Sequence, residues 1–221
     1  MSLPTLYSLR RCPYCVRARL VLLLAQQPVM LRDVVTVNLP DDMLKASPKG
    51  TVPVLVCDDS SVIDESLDIM IWALKQSDPS NLLLSDRPNA HQIMMALINR
   101  NDAEFVVSLD KYKIASRYHH NDVVDYREQC VRFISDLEQR LTKHDYFMGN
   151  KPSLADYAIL PFISQFSRVD RCSYLKSGLN TPYPNLQRWL TAHYQNPLYS
   201  TAMTKFPLWL DSHEEFLFGR L

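Results

Sequence analysis

The chain has 221 residues, 47% hydrophobic and 22% charged, a composition that suits one globular domain or two small ones. Its 24 basic and 24 acidic side chains cancel, so it lacks the basic excess that marks a nucleic-acid binder. With only four glycines a glycine-rich phosphate loop is excluded, and the longest apolar stretch, around Leu20–Ala25, is too short to span a bilayer. The opening Met1-Ser2-Leu3-Pro4 lacks the charged-then-apolar pattern of a secretory leader, which points to a reduced, cytoplasmic setting and no membrane partner.

The first elements alternate. Thr5–Leu9 reads as a strand and Cys12–Gln26 as a helix, with Cys12-Pro13-Tyr14-Cys15 at their junction. A thiol at a helix N-terminus faces unpaired N–H groups and the positive end of the dipole, both of which favour thiolate. Arg10 and Arg11 add positive charge just upstream. Cys12 is therefore read as the nucleophile, and Cys15, one turn on, as the thiol that resolves a mixed disulfide. Zinc requires a second pair of ligands, whereas Cys57, Cys130 and Cys172 are scattered singly and read as small core side chains, so no metal is expected.

A strand at Met30–Val37 and a short helix at Asp42–Ala46 follow, then the breaker Ser47-Pro48-Lys49-Gly50. Val52–Cys57 and Ser61–Ile63, joined by Asp58-Asp59-Ser60, read as a hairpin, and Ser66 opens a helix to about Lys75. The order is βαβαββα. The Ser-, Asp-, Pro- and Asn-rich stretch after it reads as a linker, and the rest as helical: Ala90–Arg117, Asp122–Lys143, Ser153–Val169 and Pro184–Gln195, with shorter pieces to Phe218. Ser153-Leu154-Ala155-Asp156 is a capping box. Expected domains are 1–77, a linker at 78–89, and 90–221.

Three candidate binding elements follow from residue chemistry. A proline at position 53, ahead of a strand, can hold a cis bond and leave the Val52 main chain free to pair with an extended ligand; it can equally be an ordinary edge-strand proline. Glu65 and Ser66 at a helix start can take an ammonium and a carboxylate, or simply cap the helix. Lys45 can meet a carboxylate or stay solvated.

Taken in order, CPYC after the first strand, Ser47–Leu55 with its proline, Asp64-Glu65-Ser66 and Ser153–Tyr157 resemble the glutathione transferase superfamily, in particular cysteine-bearing members such as omega-class transferases and two-domain glutaredoxins. The resemblance covers essentially the whole chain. It implies a thioredoxin-like α/β domain followed by an all-helical domain, with glutathione as co-substrate. Cys12 would then lie against the glutathione thiol, Val52 before the cis-proline against its cysteinyl backbone, Glu65 and Ser66 against its γ-glutamyl end, and Lys45 against its glycine carboxylate. The implied activity is thiol transfer to a small or protein disulfide, with conjugation of electrophiles as the alternative and a non-enzymatic binding role as a third reading. Such proteins occur as monomers or homodimers. Phe105, Tyr112, Tyr118, Phe206 and Trp209 are candidates for the second substrate's pocket, though their spacing fits a core equally well.

Overall fold

The computed structural model describes residues 2–171 and 182–220, so the core reading of Cys172 falls outside it. The chain divides into two compact units, Met1–Leu82 with Asn196–Leu221, and Leu83–Gln195.

The first unit is a five-stranded mixed sheet with helices. Strands β1 (Thr5–Ser8), β2 (Val29–Asp33), β3 (Val54–Val56) and β4 (Val62–Ile63) appear in the expected order with helices α1 (Pro13–Leu24), α2 (Asp41–Ala46) and α3 (Ser66–Gln76). The spatial order is β4-β3-β1-β2-β5, with β1 parallel to β2 and antiparallel to β3. This is the thioredoxin-like arrangement that the motif order implied. Leu6 of β1 lies in register with Leu31 and Leu55, all three fully buried, so the two central pairings meet on one core residue.

The C-terminal segment departs from the expected organisation. It joins the first unit rather than the helical one, through α9 (Pro197–Ala202), α10 (Trp209–Ser212) and strand β5 (Phe216–Phe218). Phe216-Leu217-Phe218 is too short for a stable helix but long enough to pair with the open edge of β2, where Met30 faces Leu217. Gly219 follows with φ +91°, and a Cβ there would lie 1.9 Å from the Gln27 carbonyl oxygen, so only glycine lets β5 approach this closely.

Helix α1 is buried nearly all round, including the charged Arg17 and Arg19. Buried guanidinium groups must be paired, and both are. The Arg17 Nε–H donates to Ser66 Oγ at 2.9 Å, tying α1 to the start of α3. Arg19 donates to Ser8 Oγ at 2.8 Å, to Asp33 Oδ1 at 3.2 Å, and to the carbonyls of Ala202 and Thr204. One buried cation thus joins β1, β2 and the C-terminal segment.

The second unit is helical among its described residues. The expected long helix runs as α4 (Ala90–Arg100), a π-helical turn (Asn101–Phe105) and α5 (Val106–Tyr118), followed by α6 (Val123–Leu141), α7 (Leu154–Val169) and α8 (Pro184–Gln195). The capping box at the start of α7 is present. Its Asp156 is fully buried and accepts from Ser153 N–H at 2.8 Å, Ser153 O–H at 2.7 Å, Phe147 N–H at 3.1 Å and Trp189 Nε1–H at 2.9 Å. One carboxylate therefore fixes the start of α7, the preceding loop and α8 together. No described helix is long and apolar enough to cross a membrane.

Candidate active site

Cys12 occupies the N-cap of α1, with Pro13 at the first helical position, where its missing N–H costs nothing. The thiol points toward the Val52 carbonyl at 3.8 Å, and the Val52–Pro53 peptide is cis, as the motif implied. The Cys12 thiol is lowered from 9.0 to about 7, first by a hydrogen bond from the Cys15 side chain, then by the main-chain N–H groups of Cys15 and Tyr14 and by the charge of Arg17; partial burial opposes these. The helix-end N–H groups act as anticipated. The helpful cation is Arg17 on α1, however, rather than Arg10 or Arg11.

Cys15 is fully buried, and Leu9 N–H donates to its sulfur at 3.2 Å. Burial, then the neighbouring Cys12, pushes its thiol well above the ordinary range. The two cysteines are thus shifted in opposite directions, Cys12 toward thiolate and Cys15 held as a thiol that donates a hydrogen bond to it.

A cavity of about 510 Å³ gathers Cys12, Tyr14, Lys49, Val52, Pro53, Asp64, Glu65 and Ser66. Of the residues singled out from the sequence, Cys12, Val52, Pro53, Glu65 and Ser66 converge here, with Cys15 buried beside Cys12. Ser66 is the first residue of α3, and Glu65 is its N-cap. The Ser66 hydroxyl oxygen accepts from Arg17, so its O–H can still donate toward a ligand alongside the main-chain N–H groups at the start of α3.

Lys45 does not join them. It sits on α2, largely exposed, 3.8 Å from Asp42 one turn earlier, and is absent from the cavity wall. The lysine that lines the cavity is Lys49, which sequence reasoning passed over as part of a loop breaker. Gly50, at φ +64°, turns the chain directly after it. Lys49 pairs with Glu65 and, at 3.4 Å, with Asp64. Asp64 also accepts from Ser47 Oγ at 2.8 Å; that bond, followed by the Lys49 charge, holds its carboxyl below the usual range. The signal was available in sequence: Lys49 and the Asp64-Glu65 pair bracket the two strands of one hairpin.

The hydroxyls of Tyr7 and Ser8, near the end of β1, are committed elsewhere. Tyr7 accepts from Arg32 at 2.8 Å and Ser8 from Arg19, both residues are buried, and neither lines the cavity.

An activated thiol at the N-terminus of α1, beside a cis-proline and an acid–lysine cluster, defines a thioredoxin-like unit equipped for thiol chemistry. Family models for the glutathione S-transferase N-terminal and C-terminal domains match residues 6–81 and 102–192, and the chain belongs to this family of enzymes. It is 29% identical over 201 residues to glutathione S-transferase omega-1 of Sus scrofa, covering 88% of this chain and 78% of that one. Glutathione S-transferase GstB of Escherichia coli (strain K12) is 26% identical over 181 residues, covering 73% and 77%. Among solved structures, a glutathione transferase family member from Pseudomonas fluorescens Pf-5, with two glutathione bound, superposes with a TM-score of 0.77 at 18% identity, over 91% of this chain and 92% of that one.

The lowered Cys12 thiol gives a direct prediction. Iodoacetamide should modify Cys12 with a rate that rises about tenfold per pH unit below 7 and levels off above it, because only thiolate reacts. Cys15→Ala removes the largest stabilising hydrogen bond and should move that midpoint upward. A midpoint near the ordinary 9.0 in the unaltered protein would contradict this assignment of the site.

Proposed function

We propose that the protein is a glutathione-dependent thiol transferase with Cys12 as nucleophile. The observation that carries the reading is the convergence in one cavity of a thiolate-favouring cysteine, the Val52 main chain, an acidic pair with its lysine, and the N-terminus of α3. Glutathione is a γ-linked tripeptide with one ammonium and two carboxylates. Its extended cysteinyl backbone pairs with Val52, and its ammonium meets Glu65 and Asp64. Its γ-glutamyl carboxylate takes the N–H groups at the start of α3 together with Lys49, which exchanges its present acidic partners for the ligand.

Chemistry follows by thiol–disulfide exchange. The Cys12 thiolate attacks a disulfide sulfur, a mixed disulfide with glutathione forms, and the other thiol leaves. A second glutathione thiolate then attacks the glutathionyl sulfur, releasing oxidised glutathione and the Cys12 thiolate. Alternatively Cys15 attacks the Cys12 sulfur, releasing glutathione and leaving a Cys12–Cys15 disulfide that two further glutathiones reduce. Reduction is favoured over conjugation because the first-strand hydroxyls of Tyr7 and Ser8, which could otherwise activate glutathione's own thiol, are buried and bonded to arginines.

The test is glutathione-dependent reduction of β-hydroxyethyl disulfide, run beside conjugation of a model aryl halide. Reduction that depends on Cys12 supports the reading. Conjugation that is unchanged in Cys12→Ser, with no reduction in either protein, would make it an ordinary conjugating transferase.

A further inference from the structure

The first unit carries a second cavity, of about 480 Å³, walled by the loop that leads into Cys12 and by the C-terminal segment. Leu9, Arg10 and Arg11 form one side, and Lys205, Phe206 and Leu208 form the other. The same short loop therefore gives Cys12 to the first cavity and two arginines to the second.

Its charge is opposite to that of the Cys12 cavity. There, Lys49 is outnumbered by Asp64 and Glu65. Here, Arg10, Arg11 and Lys205 face two carboxylates, Asp33 and Asp211. Asp33 is buried and already neutralised by Arg19 at 3.2 Å, which leaves Asp211 as the single counter-charge. None of the three cations has an ion-pair partner among the described residues. Phe206, Pro207 and Leu208 give the cavity an apolar wall.

The walls are braced from beneath. The Asp33 carboxylate takes the main-chain N–H groups of Arg10 and Phe206, one from each side, while Arg19 holds the Ala202 and Thr204 carbonyls. A buried ion pair thereby fixes the loop and the C-terminal segment against each other, which pre-forms the cavity rather than leaving a gap between surface loops.

We infer that this second cavity receives the non-glutathione half of the disulfide, and that it selects thiols bearing carboxylates next to an apolar group. The inference rests on the thiol-transferase reading. With glutathione in the first cavity, Cys12 attacks the glutathionyl sulfur and a Cys12–glutathione disulfide forms. The original S–S bond breaks, and the acidic partner leaves as a thiolate into the cationic cavity, then takes a proton from water. A second glutathione thiolate attacks the Cys12 disulfide, releasing oxidised glutathione and the Cys12 thiolate. Per turnover one free glutathione is consumed: it leaves joined to the substrate's glutathionyl half as oxidised glutathione, and the acidic partner is released as a thiol.

The test compares two glutathionylated peptides of equal length, with Glu and Phe or with Lys and Phe flanking the cysteine. The acidic peptide should show kcat/KM about tenfold above the basic one at low ionic strength, and the gap should close at about 0.5 M salt. Arg10→Glu with Lys205→Glu should invert the order. A ratio near unity in the unaltered protein, or an unchanged ratio in the double variant accompanied by a raised KM for glutathione, overturns the proposal; the latter assigns the cations to the second glutathione instead. If neutral β-hydroxyethyl disulfide is not reduced either, the thiol-transferase reading itself fails.

Discussion

Replacing Cys12 with serine is expected to lower glutathione-dependent disulfide reduction by on the order of 10³-fold or more, to the rate of free glutathione. At neutral pH about half of the Cys12 thiol is ionised, whereas a thiol at the ordinary value of 9.0 would be about one part in a hundred thiolate. A serine hydroxyl gains almost nothing from the same N–H groups and forms no disulfide. Cys15→Ser should behave differently, staying within about tenfold of the unaltered protein, since a hydroxyl can still donate to the Cys12 sulfur and a second glutathione can complete the cycle. Equal losses in both variants would mean that Cys15 is an obligatory resolving thiol.

The second large effect is structural. Asp156→Ala should destabilise the protein by about 3–5 kcal/mol, because it leaves the N–H groups of Ser153, Phe147 and Trp189 unpaired inside a packed core. In a chain of this size that corresponds to a fall in Tm of about 10 °C or more, measurable by thermal denaturation, or to loss of soluble protein. A shift of only a degree or two would show that water or rearrangement satisfies those donors. The loss belongs to the helical unit, so folded Asp156→Ala should retain the pH midpoint of Cys12 alkylation.

The order of elements in the first unit could be read from sequence because each strand is a short β-branched or apolar run bounded by turn residues, and the helices follow recognisable starts. The capping box was legible for the same local reason. What escaped depends on long-range pairing. Phe216-Leu217-Phe218 says nothing by itself about joining a sheet; it becomes a strand because β2 offers an unpaired edge. Arg17 and Arg19 look like solvated charges on a helix, yet their partners lie 49 residues away in Ser66 and 14 residues away in Asp33. The lysine of the cavity was misplaced for a related reason: Lys45 and Lys49 are alike in sequence, and only the turn at Gly50 decides which one reaches Asp64 and Glu65. Of the aromatic residues considered for the second substrate, Phe105 and Tyr112 are core, while Phe206 lines the cationic cavity. Burial on a helix face separates these cases, and helical spacing alone does not.

The central claim is that Cys12 exchanges with glutathione bound beside it. The most direct measurement is peptide mapping by mass spectrometry of Cys15→Ser after incubation with oxidised glutathione, since removing Cys15 prevents its attack on the mixed disulfide. A single glutathionyl group on the Cys12 peptide, formed faster as pH rises toward 7 and removed by added glutathione, is the predicted result. An unmodified Cys12 peptide, or modification of Cys57 or Cys130 in its place, would contradict the account.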